Sequence, residues 1–335
     1  MNVKTVGIPR ALLYYRYGPL WNAFFNELGL DVMVSPATDR ALLERGRALS
    51  SDETCLASKA FMGHVDALMG SCDVVFVPAY ASVARRSGFC TKFQSVTDMA
   101  ANVMHGSQTP IVSLLVENVT DAKGMRRAFV DLGVELGATP SAAARAYKAA
   151  AKCQEAHDHE RAHLHERTLR QVEEERKRFE KAKAANALAP GQERPLAILV
   201  AAHPYIDQDP YLSENVLNAL TERGCTVLFA HEADHEKSYK KSFEFSDTMP
   251  WRINREIVGA ILLDLDRVDG IVMVSAFPCG PDSMTDDAIM RCVHGKPILN
   301  LMIDDQTGTA GIETRVESFI DIIRFQSEGG YVHGA

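Results

Sequence analysis

The sequence lacks the short motifs that usually mark a cofactor site. It has seven cysteines, yet none fall into a CxxC or CxxCxxC spacing. There is no GxxxxGKS/T phosphate loop and no GxGxxG turn, so neither nucleotide-binding signature applies. There is no Ser-His-Asp signature, no HExxH and no EF-hand loop. No apolar run reaches the ~18–20 residues that span a bilayer. Positive charge is also short. The 36 Lys and Arg against 44 Asp and Glu leave a net charge of −8. That balance argues against nucleic acid and against an anionic membrane surface as partners. The N-terminal "MNVKTVGIPRALLYY" is interrupted by Pro9 and Arg10 and does not read as a secretory signal. A cytoplasmic protein is expected. There, an odd set of seven cysteines reads as thiols or metal ligands rather than disulfides.

What is present is alternation. "KTVGIP", "DVMVSP", "CDVVFVPAY" and "TPIVSLLVE" read as short buried strands, separated by helix-like runs. "LAILVAAHP", "CTVLFA", "GIVMVSAFP" and "PILNLMID" repeat the pattern near the C-terminus. Short β-branched strands alternating with helices predict parallel sheets covered on both faces. Between residues 141 and 189 there is neither Gly nor Pro, only Ala, Glu, Lys, Arg and His in abundance. The expected fold is α/β, with two doubly wound, Rossmann-like parallel-sheet domains and a helical connecting segment. The boundaries are an N-terminal α/β domain over 1–140, a charged helical segment over 141–192 and a C-terminal α/β domain over 193–335. No internal repeat is evident. Ligands in such folds bind outside the carboxyl ends of the strands, which predicts a crevice between the domains.

Three cysteines share one context. Cys55 in "SSDETCLASKAF" opens a helix, Cys90 in "RRSGFCTKFQ" lies in a loop after a strand, and Cys279 in "SAFPCGPDS" lies between a strand and a helix. Backbone N–H groups at a helix start favour thiolates and anionic ligands. This suits iron–sulfur ligation, though three unrelated semi-buried thiols would look the same. Cys72, Cys225, Cys153 and Cys292 read as core or helix thiols. His157, His159, His163 and His165 are expected on a solvated helix face. His203, Tyr205, Asp207 and Asn215 follow a strand and either line a site or simply precede a helix that Ser213 would cap. Asp304, Asp305 and Arg315 surround a similar turn. Arg10, expected at a helix start, either meets an anionic partner or lies over nearby tyrosines. Asp282 and Ser283 are expected to cap the helix after Cys279, with Pro281 in its first turn.

Together, "GIPRALLYYRYGPLW", "DETCLASKAFMGHV", "HPY", "CGPDS" and "IDDQTGTAGIETRVESF" resemble the acyl-CoA dehydratase activase-related proteins. That group is similar to the 2-hydroxyacyl-CoA dehydratase and benzoyl-CoA reductase subunits. The resemblance covers residues 1–140 and 195–325. It implies a 4Fe–4S cluster held between two α/β domains by Cys55, Cys90 and Cys279, with one iron free of cysteine. It also implies Arg10, His203, Tyr205, Asp282 and Ser283 as cofactor-contacting candidates. The implied partners are an ATP-dependent activator that supplies low-potential electrons, an acyl-CoA substrate, and a second copy or related subunit in a dimer. Related proteins imply two alternatives: half of a double-cubane cluster that reduces small molecules, or a non-catalytic scaffold. The activator's own nucleotide-binding part has no counterpart here, so the chain is not the ATPase.

Overall fold

The computed structural model describes residues 3–118, 123–304 and 309–327. The N-terminal part runs β1 (Thr5–Ile8), α1 (Tyr14–Glu27), β2 (Asp31–Val34), α2 (Arg40–Ala48), α3 (Leu56–Leu68) and β3 (Val74–Phe76). It continues through β4 (Ala79–Ala84), β5 (Ser87–Gly88), α4 (Thr91–Val103), β6 (Ile111–Val112), β7 (Leu115–Glu117) and α5 (Gly124–Glu135). A single 45-residue helix, α6 (Pro140–Ala184), follows. The C-terminal part runs β8 (Leu196–Ala202), α7 (Pro204–Asp207), α8 (Pro210–Thr221), β9 (Cys225–Phe229), α9 (His235–Lys241) and α10 (Arg252–Asp264). It closes with β10 (Gly270–Ala276), α11 (Gly280–Cys292), β11 (Ile298–Ile303) and α12 (Thr309–Ser327).

Two parallel four-stranded sheets result, with orders β2-β1-β3-β6 and β11-β10-β8-β9. Flanking helices make both parts Rossmann-like. Every residue of β8 and β10 is buried, as central strands covered on both faces must be. The two sheets share one plan. In each, the first strand pairs with the second on one side and the third on the other. A small sheet, β5-β4-β7, extends the N-terminal part. The expected continuous strand "CDVVFVPAY" is therefore two strands. Pro78 has no N–H to donate, and the chain leaves one sheet for the other there.

The long helix braces both parts. On the N-terminal side, Gln154 accepts from the Leu20 N–H and Arg16 pairs with Asp158 at 3.1 Å. On the C-terminal side, His165 meets Asp264 at 2.7 Å, Arg267 reaches Glu166 and Glu173, and Arg176 pairs with Asp269. His157, His159 and His163 are exposed, but His165 is buried, which corrects the expectation of a uniformly solvated face. The 3.6-residue period turns position 165 toward α10 while its neighbours face solvent. No helix among the described residues is long and apolar enough to cross a membrane.

Helices α2 and α3 approach through glycine. A Cβ on Gly46 would overlap the Lys59 carbonyl, and one on Gly63 would overlap the Leu42 carbonyl. A Cβ on exposed Gly280 would meet nothing within 4 Å. Gly46→Ala should therefore destabilise the fold by about 1–3 kcal/mol. Gly280→Ala should stay within about 0.5 kcal/mol. Urea unfolding of both variants checks the contrast.

Candidate functional site

The carboxyl ends of β8 and β10 are adjacent, and connections leave them in opposite directions across the sheet. That reversal is where a doubly wound sheet opens a crevice. His203 and Tyr205 follow β8, and Cys279 follows β10. Across from them the N-terminal part contributes the starts of α3 and α4. Each of these three helix starts is a cysteine: Cys55 is the N-cap of α3, Cys90 of α4 and Cys279 of α11. All three have extended backbone and none makes the side-chain cap hydrogen bond seen for Asp39, Thr139 and Asp209. First-turn N–H groups stand at the Cys90 and Cys279 sulfurs.

The sequence suggested other caps. Neither Asp282 nor Ser283 caps α11. The cap is Cys279 itself, with Pro281 in the first turn as expected. Asp282 instead turns inward, while exposed Ser283 donates back to the Cys279 carbonyl at 2.8 Å.

The two parts meet beside these cysteines. The Leu56 N–H donates to the Phe277 carbonyl at 2.9 Å, and the Gly88 N–H donates to the Pro250 carbonyl at 2.8 Å. A small enclosed pocket is lined by Cys90, Cys279, His203, Tyr205, Phe93 and Asn254, among others. Cys55, Cys90 and Cys279 all lie close enough to Tyr205 to act on its hydroxyl electrostatically. Burial, with the thiols and Asp282 adding to it, pushes that hydroxyl well above its ordinary range. The Tyr205 ring stacks on His203 with centroids 4.9 Å apart and meets Phe93 at a tilt, with centroids 5.9 Å apart.

Burial also raises the Cys90 and Cys279 thiols. The Lys92 and Phe93 N–H groups oppose that rise at Cys90, and the Asp282 N–H opposes it at Cys279. Asp282 is buried, with His203 Nδ1 3.2 Å away and the Asn254 amide donating at 2.9 Å. Burial works against its charge, but His203 and Asn254 hold the carboxyl below the usual range. His203 is raised in return, since Asp282 outweighs the burial that would lower it.

Arg10 lies in a neighbouring network rather than at a helix start, because α1 begins only at Tyr14. Its N–H donates to Ser35, whose hydroxyl bonds buried His64 at 2.8 Å. Thr38 joins His64 to Asp209, and Tyr15 reaches Asp209 at 3.3 Å. Burial and Arg10 push His64 down to about 4, so it bridges the two hydroxyls as a neutral ring. Asp209, not Ser213, caps α8. Asp207 turns to His231 at 2.9 Å. Asp305 lies outside the described residues. The sequence offered no signal for Asn254, Thr285, Asp286 or His64, whose roles depend on contacts across helices. Among the described residues, no group of three or more His, Cys, Asp or Glu side chains could hold a metal ion.

Comparison with known proteins now bears on this geometry. A family model described as "CoA enzyme activase uncharacterised domain" matches residues 5–232, more than half of the chain. The chain belongs to this family. The match spans Cys55, Cys90, His203 and Tyr205, and ends before Cys279 and Asp282. No curated protein matches the chain. Among solved structures, a mutant of a Mn-bound periplasmic metal-binding protein from Candidatus Liberibacter asiaticus aligns at 11% identity with a TM-score of 0.26. That alignment covers 96% of this chain and 98% of the other. At that score it says nothing of this activase-related domain's ligand.

Thiol chemistry gives a direct check on the site. The thiolate is the nucleophile, so buried thiols with raised pKa react slowly. Exposed Cys153 and Cys292 should be alkylated first at neutral pH, and Cys90, Cys279 and buried Cys225 last. Peptide mapping after timed iodoacetamide treatment reads the order. Equal rates at all seven would contradict it.

Proposed function

We propose that this CoA enzyme activase-related protein holds a 4Fe–4S cluster on Cys55, Cys90 and Cys279. In this reading it receives low-potential electrons from an ATP-dependent activator and passes them to a substrate of the acyl-CoA type. The observation that supports it is the arrangement of thiols. Three helix N-termini, two from one parallel-sheet domain and one from the other, each begin with a cysteine, and all three lie around Tyr205.

The donor set fits such a group. Thiolates hold iron–sulfur clusters, and nearby N–H donors stabilise the sulfurs. The three helix starts supply both at once. A cubane also separates its thiolates more widely than a single ion does, so the lack of a single-ion site among the described residues is compatible with it. When bound, the cluster would supply one-electron storage and an iron without a cysteine ligand. The chain's own residues then have separate tasks. Cys55, Cys90 and Cys279 would hold the cluster, and Gly280 leaves open space beside the last of them. Tyr205 and Phe93 exclude water from one flank. Asp282, fixed by His203 and Asn254, places a carboxylate behind Cys279.

A cleft of about 520 Å³ opens beside Leu56 and Phe277 and is also lined by Glu44, Arg47, Asp52, Lys59 and Asp304. Its size suits a small-molecule site. It would admit the acyl end of a thioester from the Cys55 side.

Iron and sulfide quantitation with EPR on anaerobically prepared protein tests the reading. About four irons per chain are expected, lost in the triple variant Cys55→Ser, Cys90→Ser, Cys279→Ser. About eight irons shared by two chains would favour the double-cubane alternative. A protein without iron above background after anaerobic reconstitution would overturn the cluster and leave the scaffold reading.

A further inference from the structure

Behind the cysteines lies a second, smaller enclosure that the ligand set does not use. It is lined by His203, Asn254, Asp282, Thr285, Asp286, Ala201, Val274 and neighbouring apolar side chains. Two carboxyl groups one helical turn apart on α11, Asp282 and Asp286, therefore face the same interior space. Residues four apart on a helix stack on one face, so the pairing follows from the sequence once α11 is placed. Asn254 donates to Asp282 at 2.9 Å and to Thr285 at 3.3 Å, and His203 stands 3.2 Å from Asp282. Asp282 is thus fully engaged and held as the anion. Asp286 has only the Ser275 hydroxyl as a hydrogen-bond partner among its named neighbours.

We propose that Asp286 is a proton-bearing positioning residue that sets the net charge behind the cysteine site, acting through Asp282 and His203. A buried carboxylate and a half-buried one facing the same space cannot both stay ionised cheaply, and the one with fewer donors takes the proton. Burial, reinforced by the Asp282 charge, pushes Asp286 up to about 7. Ser275 and His203 oppose the shift without cancelling it. The charged or titratable groups facing Asp286 are Asp282 from its own helix and His203 from the end of β8. Helix α10 contributes Asn254 and Ile257, and β10 contributes Met273, Val274 and Ser275, none of them charged. Near neutral pH the enclosure therefore gains or loses one proton at Asp286. The charge behind Cys279 changes by one unit without any change in the ligands. For a group that changes its own charge by one on reduction, a compensating proton nearby is the simplest electrostatic partner. That last step rests on the cluster reading above. The titration itself does not.

The sign follows from linkage. Asp286 in the folded chain holds its proton to about pH 7, whereas an unfolded aspartate loses it near its ordinary value of 3.8. The folded state binds the extra proton in that window, so this residue's contribution to stability falls as pH rises through it.

The test has two arms. In the first, urea unfolding of the metal-free chain is followed from pH 4 to 8, beside infrared detection of protonated carboxyl groups. The wild type should release up to one more proton on unfolding in this window than Asp286→Asn does, and Asp286→Glu should restore the difference. A carboxyl signal present in wild type and missing from Asp286→Asn that titrates near pH 4, or identical pH slopes in the two proteins, would overturn the proposal. In the second arm, EPR-monitored midpoint potentials are measured on reconstituted protein. The wild-type potential should fall with pH across the Asp286 titration, and that of Asp286→Asn should not. Equal pH dependence in both would overturn the coupling to the cysteine site. Failure to bind iron would sink the cluster reading alone, and the first arm would still decide the carboxyl.

Discussion

The Leu56 N–H is an orphan donor at the first turn of α3, and the Phe277 carbonyl of the other domain satisfies it at 2.9 Å. Leu56 follows Cys55, and Phe277 stands two residues before Cys279. This one contact therefore ties two helix starts from separate sheets to a fixed separation. Beyond it, the Ser58 and Lys59 N–H groups donate to the Cys55 carbonyl, and the Asp282 N–H faces the Cys279 sulfur. The Gly88–Pro250 hydrogen bond does the same service on the Cys90 side. These links act next to the cysteines themselves, whereas the α6 contacts hold the two parts together at a distance from them.

The surroundings of the thiols are built around charge that is already settled. His203 and Asn254 hold Asp282 ionised, while Tyr205 is kept neutral by burial, with the thiols and Asp282 beside it adding to that. An aromatic series from Tyr80 through Phe89 and Phe93 to Tyr205 joins the N-terminal core to this pocket, with centroid spacings of 5.7, 5.8 and 5.9 Å. These rings are rigid and apolar, so they keep water from the flank where the polar groups are fewest. The cleft beside Leu56 carries the opposite character, with Glu44, Arg47, Asp52, Lys59 and Asp304 around its mouth. One side of the site is dry and one is charged.

Much of this was legible in the chain. The strands β8 and β10 are continuous apolar runs, and their all-buried pattern follows directly from that. Cys55, Cys90 and Cys279 could be singled out because each lies next to a strand–helix transition, and a transition is readable from periodicity. Their common role as N-caps was less readable, since Ser, Asp and Ser nearby are stronger capping residues by type. Pro78 hid a change of sheet within what reads as one strand. The segment from His231 to Asp264 carried no clear strand or helix signal of its own. It forms α9 and α10, and its key residue, Asn254, matters only because α10 crosses behind α11. His165 is the same kind of case. Its burial depends on Asp264, 99 positions away, and no local pattern encodes such a partner.

The 45 residues of α6 span about 68 Å, and the two sets of contacts along it share one rod. Gln154 and Asp158 engage α1, while His165, Glu166, Glu173 and Arg176 engage the second sheet's flank. Each residue added to a helix turns everything after it by about 100° and carries it about 1.5 Å further. The stretch between Asp158 and His165 is thus a phase-setting gear. A single inserted residue there would swing the His165 face off α10 while the α1 contacts stayed engaged, and the angle between the two sheets would have to absorb the error. The geometry of a site built from both sheets is in this sense counted out along a helix that touches none of its cysteines.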